Sequence, residues 1–300
     1  VEVVAIARSD AAASSVEQCG AKSVRGDLSD VNCLKCAMQG CSVVFHCAAL
    51  TDLNNPWEQF LEVTVEGTRR VLLAAKACNI QRVVNVSSEA AIVTGFGYPV
   101  LDIDDEADNL PDPDTQLALN YPRAKNLAER ICQEFATEMH VVTVRPRFIW
   151  GVGDTVVMKH LVEQAQSLVG FAWIGGAEFM TSTANISNVV HGIVLASERG
   201  ESGHAYFLTD GEELTLKEMF TKLYATQKID SSSFPSLQIF LVKALAWTGL
   251  IPDLSATTMA LLAQHVTVKC PRARKDLGYS PIVSMAQGMQ ELREDFEKSA

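Results

Sequence analysis

The sequence predicts an α/β protein, a doubly wound parallel sheet joined to a smaller, mainly helical domain. Three observations carry that expectation. Short apolar runs alternate with helix-like stretches from Val1 to Gly151. The runs are apolar throughout, as strands are when helices cover both faces of a sheet. After Gly151 helix-like stretches dominate and strands become rare.

Taken in order, Val1–Ala7 reads as a strand, with no lead-in and no signal peptide. Further strands are predicted at Ser23–Asp27, Ser42–Ala48, Arg82–Ser87 and Val141–Arg145. Helices are predicted between them at Asp30–Gln39, Trp57–Cys78 and Leu119–Glu138. The helix from Trp57 carries Phe60, Leu61, Val65, Thr68, Leu72 and Ala75 on one stripe at helical spacing. Strands and helices in this alternation form right-handed βαβ units. Beyond Gly151, helices are predicted at Val156–Ser167, Ser187–Ala196, Leu216–Gln227, Leu237–Trp247 and Met285–Lys298. Short strands fall at Phe171–Ile174 and Ala205–Leu208. The sheet domain is drawn as residues 1–153 with about 186–210, and the second domain as 154–185 with 211–300.

Composition narrows the function classes. Of 300 residues, 48% are hydrophobic and 20% charged, which excludes a disordered or coiled-coil chain. The 25 Lys and Arg against 36 Asp and Glu leave a net charge of −11, which argues against a nucleic-acid partner. Eight cysteines are too few for a disulfide scaffold and read as reduced thiols. No uninterrupted apolar run is long enough for a membrane span; Leu237–Ile251 comes nearest and is broken by Gln238, Lys243 and Thr248-Gly249. The expected location is cytoplasmic or peripheral on an internal membrane. The stretch from Asp102 to Asp114 holds seven acids and no base, and reads as a solvated loop. Cys33, Cys36 and Cys41 sit on and beside an amphipathic helix without a second ligand pair at zinc spacing, so no metal is expected.

The chemistry is placed on Tyr121 and Lys125. Four residues apart at a helix start, they share a face one turn apart, and Pro122 is tolerated in that first turn. An ammonium near a phenol is expected to lower its pKa and make it a usable acid or base. One βα unit earlier, the apolar strand Val83–Val86 ends in Ser87 and Ser88. Ligands bind beyond the carboxyl ends of parallel strands, where such a hydroxyl can hold the oxygen that the phenol protonates.

These pieces resemble the extended short-chain dehydrogenase/reductases of the epimerase/dehydratase superfamily, and within them the 3β-hydroxysteroid dehydrogenase-like branch. The likeness rests on Gly26-Asp27-Leu28, Val44–Ala49, Val65–Arg69, Val86–Ser88, Tyr121 with Lys125, Arg145–Asp154 and Ala273–Pro281, in that order along the chain. It implies a Rossmann-like sheet, an NAD(P) cofactor and hydride transfer. Tyr121 would be the acid/base, Lys125 would bind the nicotinamide ribose, and Ser88 would hold the substrate oxygen, with Ser87 as the alternative. Arg8, Ser9, Asp27, Leu28, Cys47, Ala48, Ala49, Val86, Pro146, Phe148 and Ile149 would complete the cofactor site beside Tyr121 and Lys125.

Two departures stand out. The family's opening strand and Gly-x-x-Gly-x-x-Gly turn are not in the sequence; Gly95-Phe96-Gly97 and Gly151-Val152-Gly153 do not lead into a helix as that turn does. The expectation is a sheet lacking its first βα unit, with roughly thirty further residues belonging ahead of Val1, and weak NAD(P) binding by the 300-residue chain. Thr64 also stands where the family usually has Asn. At the end of the first strand Arg8 precedes the first acid, Asp10, which tilts the cofactor choice slightly to NADP(H).

The expected reaction interconverts a secondary alcohol and a ketone on a small hydrophobic, steroid- or sterol-like substrate. A nucleotide-sugar epimerase or dehydratase would need cations for the diphosphate, yet Lys159 is the one Lys or Arg between Asp154 and Glu198. The same stretch offers Met158, Leu161, Leu168, Phe171, Trp173, Phe179 and Met180 for an apolar pocket. A 2-alkyl-3-keto acid reductase and a non-catalytic cofactor-binding protein stay open beside these. Phe234–Ile251 is expected as an amphipathic helix over the substrate entrance; a peripheral membrane contact through it and a homodimer are left open.

Overall fold

The computed structural model describes residues 1–93, 100–103, 109–114, 119–155, 157–166, 171–240, 242 and 263–299. The chain divides into two compact units, Val1–Ile92 with Asn109–Val144 and Ala196–Ala205, and Val93–Asp108 with Arg145–Leu195 and Tyr206–Ala300.

The first unit is the expected parallel α/β layer. Strand β1 (Val4–Ala7) pairs in parallel with β2 (Lys22–Arg25). Strands β3 (Val43–His46), β4 (Arg82–Val86) and β6 (Val141–Pro146) form a second parallel ladder, with β4 in the middle. No pairing joins β1 to β3 among the described residues. Helix α2 (Val31–Met38) is capped by the Asp30 carboxylate, and it carries Cys33 and Cys36 as expected. The core is built from Leu34, Phe60, Val65, Val71, Leu72, Val83, Ile131 and Val141.

Two local features depart from the pattern reading. Helix α1 (Asp10–Gln18) was not legible because it buries no residue and so shows no apolar stripe; Ala-rich propensity and the Ser9 N-cap, 3.1 Å from the Ala12 N–H, hold it. The helix expected over Trp57–Cys78 is three pieces: α3 (Trp57–Phe60), a π-helical turn (Leu61–Glu66) and α4 (Gly67–Ala77). A π turn inserts an extra residue per turn and rotates the stripe. Leu61 is accordingly 38% exposed, while Thr64 and Val71, off the expected stripe, are buried.

The second unit holds α6 (Val157–Gln166), α7 (Ile186–Arg199, whose last turn lies in the first unit), α8 (Leu216–Thr226) and α9 (Met285–Ser299). Beside these helices it carries short strands that pattern reading missed. Strands β5 (Val100–Ile103), β9 (Met180–Ser182), β12 (Glu213–Thr215) and β14 (Val266–Val268) make one sheet in the order β12-β9-β14-β5. Strands of two to four residues are too short for a period to register. Asp210 staples this unit, accepting hydrogen bonds from the Trp150 indole, Thr183, the Asn185 N–H and Asn188 at 2.7–2.8 Å.

The helix expected from Phe234 does not begin there. Ser236–Leu237 is a short strand, β13, parallel to β8 (Trp173–Ile174), and the Trp173 N–H donates to the Pro235 carbonyl at 2.8 Å. Pro235 favours extended backbone before it and donates no N–H of its own. Residues 241 and 243–251 of that segment lie outside the described residues, as do 104–108 of the acidic stretch and Gly95–Gly97. Among the described residues, no helix is long and apolar enough to cross a membrane.

Candidate active site

Strand β4 ends at Val86, and the Ser87 N–H continues its ladder to the Val144 carbonyl at 2.8 Å. Ser88 then turns the chain into a short 3-10 turn, Glu89–Ala91, as its N-cap. Its hydroxyl accepts from the Ala90 N–H at 3.2 Å and donates to Glu89 Oε2 at 2.6 Å. Helix α5 (Asn120–Phe135) brings Tyr121 and Lys125 to the same place. The Lys125 ammonium donates to the Val86 carbonyl at 3.1 Å, and the Tyr121 phenol lies near enough to Ser88 for that hydroxyl to bear on its acidity. The Tyr121 ring meets Phe60 edge-on at 6.3 Å. Pro122 sits inside the first turn of α5 without breaking it.

The electrostatics reverse one expectation. Burial pushes the Tyr121 phenol up to about 12, the Glu89 charge adds to that, and the Ser88 hydroxyl opposes both. The expected lowering by Lys125 does not occur, because burial and a neighbouring carboxylate both oppose the phenolate. Burial brings Lys125 down to about 8, against the charges of Glu129, Cys47, Cys132 and Glu89. His46, at the end of β3, is brought down to about 4 by burial and by Lys125; its Nε2 lies 3.0 Å from Thr68 Oγ1. Thr68 in turn donates to the Thr64 carbonyl, and Thr64 Oγ1 accepts from the Leu50 N–H at 3.1 Å. Thr64, in place of the expected Asn, thus ties down the loop that carries Cys47, Ala48 and Ala49.

The remaining expected cofactor residues of this unit follow strand ends. Arg8 and Ser9 follow β1, and Asp27 and Leu28 follow β2. The Arg8 guanidinium and the Asp27 carboxylate are 4.0 Å apart. Asp27 is held low by the Ser29 backbone N–H, with Arg8 and Arg70 contributing less. Gly26 is required because a Cβ there would collide with Cys33 of α2, and Leu28 packs where a Cβ on Gly67 would be 3.0 Å away. Pro146, Phe148 and Ile149 belong to the second unit; Phe148 adopts a left-handed φ of 43° and Ile149 opens strand β7 (Ile149–Trp150). Of the apolar residues expected to line a pocket, Leu161 and Trp173 are core, with Met158 and Phe171 packed against it. Phe179 stacks edge-on with His265. Leu168 lies outside the described residues.

The alternative serine, Ser87, is buried, and its hydroxyl has no hydrogen-bond partner among the described residues. Two functional candidates escaped the sequence reading, Glu89 and Glu129, both buried. Glu129, one turn beyond Lys125, is 2% exposed, and its spacing to the lysine was the signal that could have found it. Glu89 offered none, since a single acid after two serines has no period.

Comparison with known proteins now decides the family. The sequence profile of the 3-beta hydroxysteroid dehydrogenase/isomerase family matches residues 1–237. The chain belongs to that family. It is an oxidoreductase acting on CH–OH groups. It is 36% identical to a 4-hydroxy-2-methyl-3-oxo-4-farnesyl-3,4-dihydroquinoline-1-oxide ketoreductase of Stigmatella aurantiaca, over 98% of this chain and 89% of that protein. It is 27% identical to a decarboxylating sterol-4-alpha-carboxylate 3-dehydrogenase of Dictyostelium discoideum, over 97% and 92%. In fold it is similar to a dTDP-glucose 4,6-dehydratase from Streptomyces venezuelae solved with NAD, with a TM-score of 0.77 at 18% identity, covering 99% of this chain and 88% of that one.

The family implies a nicotinamide dinucleotide, and the donor set fits its ribose and adenosine ends. A buried ammonium at Lys125, the unpartnered Ser87 hydroxyl, and the Asp27 carboxylate beside Arg8 are the cation, hydroxyl and acid that such groups need.

Proposed function

We propose that this protein interconverts a ketone and a secondary alcohol on a hydrophobic, steroid- or sterol-like substrate, with Tyr121 as the acid/base. The observation that carries the reading is the convergence of Tyr121, Ser88 and Lys125 at the carboxyl end of β4. When bound, a nicotinamide dinucleotide supplies or takes up the hydride.

The phenol, kept protonated by its surroundings, gives its proton to the substrate oxygen in reduction and recovers one in oxidation. Ser88, next to the phenol, holds the same oxygen, with Ser87 as the alternative hydroxyl. Lys125 binds the nicotinamide ribose through the N–H bonds not given to Val86. Asp27 and Leu28 flank the adenine, and the exposed Arg8 at the end of β1 takes a 2′-phosphate, which favours NADP(H). Cys47, Ala48, Ala49 and Val86 flank the cofactor in the first unit.

The test is NADPH consumption with a 3-ketosteroid and a farnesylated quinolone, beside product analysis with a UDP-sugar, whose epimerisation or dehydration consumes no NADPH. Turnover of either hydrophobic ketone, lost in Tyr121→Phe, supports the reading. Turnover of the sugar nucleotide alone overturns it.

A further inference from the structure

Two adjacent residues of α5 take hold of the chain on either side of Ser88. Lys125 donates to the Val86 carbonyl before it, at 3.1 Å. Asn126 donates to the Ala91 carbonyl beyond it, at 2.9 Å. Ala91 closes the turn that Ser88 opens, its N–H bonded to the Ser88 carbonyl at 3.2 Å. Asn126 therefore reaches the backbone of Ser88 through a single residue. The two grips differ in kind. The lysine stem is long and its ammonium has further N–H bonds to give, whereas the Asn126 amide is short and fully buried.

Both ends of that amide are engaged. Its Nδ2 also donates to the Pro111 carbonyl at 3.1 Å, and its Oδ1 accepts from Arg130 Nε at 2.9 Å. Arg130, one turn along α5, holds the same arm of chain through the Leu110 and Pro111 carbonyls at 3.1 and 2.8 Å. The opposite flip of the amide would set its oxygen against two carbonyls and its N–H bonds against a guanidinium. Arg130 thus fixes which end faces Ala91. Were the position only a packing site, an apolar side chain would fill it without the desolvation cost of an amide.

We propose that Asn126 is a positioning residue for the reaction: its buried amide, oriented by Arg130, fixes the Ser88 turn against the helix that presents Tyr121 and Lys125. The inference rests on the reading of Tyr121, Ser88 and Lys125 as the reacting groups, and deepens it. The Ser88 hydroxyl must meet the same substrate oxygen as the phenol. A displacement of about 1 Å at such a point costs on the order of 100-fold in rate. Within the turn that hydroxyl accepts from the Ala90 N–H at 3.2 Å, so the N–H reports where the hydroxyl stands.

The first readout needs neither cofactor nor substrate. In the cofactor-free protein, Asn126→Leu is expected to speed hydrogen exchange at the Ala90 and Ala91 amides by about tenfold and to leave the β6 amides unchanged. The second readout is a double-mutant cycle with Ser88→Ala, on the reduction of dihydrotestosterone by NADPH. Asn126→Leu alone is expected to lower kcat by roughly 10–100-fold, with the NADPH Kd within about twofold of the unsubstituted protein. In the Ser88→Ala background the same substitution is expected to lower kcat by less than about twofold, because no hydroxyl is left to place. Unchanged exchange at Ala90, equal speeding in β6, an unchanged kcat, or equal losses in both backgrounds overturns the proposal. Should Asn126→Leu not fold, Asn126→Asp, which matches the amide in size and still accepts from Arg130, takes its place under the same criteria. Full reduction by Ser88→Ala would sink the reading of Ser88 and the proposal with it, whereas equal losses on a slowed Ser88→Ala sink the role of Asn126 alone.

Discussion

At Tyr121 the chain surrounds a phenol with groups that resist its ionisation, and at Lys125 it buries an ammonium that ordinarily stays in water. For Tyr121 the consequence is a proton donor across the working pH range. Tyr121→Phe is expected to slow ketone reduction by on the order of 10²–10⁴-fold, with little change in thermal stability, measured by steady-state rates and a melt. For Lys125 the sign runs the other way. Its folded pKa of about 8 lies below the usual lysine value, so the ammonium is present below pH 8 and is lost as pH rises through it. Reduction should therefore fall on the alkaline side with a midpoint near 8. Lys125→Arg, whose charge persists, should lose that limb even where its absolute rate is lower. Arg8 makes a separate expectation. With its guanidinium largely exposed beside Asp27, Arg8→Ala should weaken NADPH binding by about tenfold while leaving NADH binding nearly unchanged, as calorimetry would read.

Among the elements, β2 and α2 meet at a point that tolerates no side chain. A Cβ on Gly26 would collide with the Cys33 thiol and lie 3.0 Å from Cys33 Cβ. Gly26→Ala should cost about 1–3 kcal/mol in denaturant unfolding, and Cys33→Ala in the same chain should recover part of that loss. The thiol that sequence reading placed on an ordinary helix face thus explains the glycine before Asp27. Elements with a strong period were legible: α2, α5, α8 and the buried β4 and β6 all lie within a few residues of their expected ranges. The π turn at Leu61–Glu66 was not, because the extra residue arises from how the helix seats against its neighbours, and no residue type encodes it. Helix α1 was missed for the opposite reason: it is held by its cap and its alanines, with nothing buried.

For the molecule as a whole, acid stability should follow His46. Its folded pKa of about 4 lies below the ordinary value of 6.5, so the folded state binds fewer protons than the unfolded one between those limits. The stability this supplies is complete above pH 6.5 and is lost as pH falls toward 4, on the order of 3 kcal/mol in all. His46→Gln should flatten the stability curve over that window relative to the unsubstituted protein, as urea unfolding at each pH would measure. The amino-acid sequence by itself determined the parallel α/β class, the order of its βαβ units, and the pairing of Tyr121 with Lys125 behind a serine-ended strand. Periodicity and the i,i+4 rule are local, and local rules can be read along a chain. Only the tertiary structure decided the charge environment of that pair. Glu89 is adjacent to Ser88 in sequence, but α5 reaches it from more than thirty residues away. Whether a carboxylate raises or lowers a phenol's acidity depends on burial and distance, and neither exists until the chain has folded.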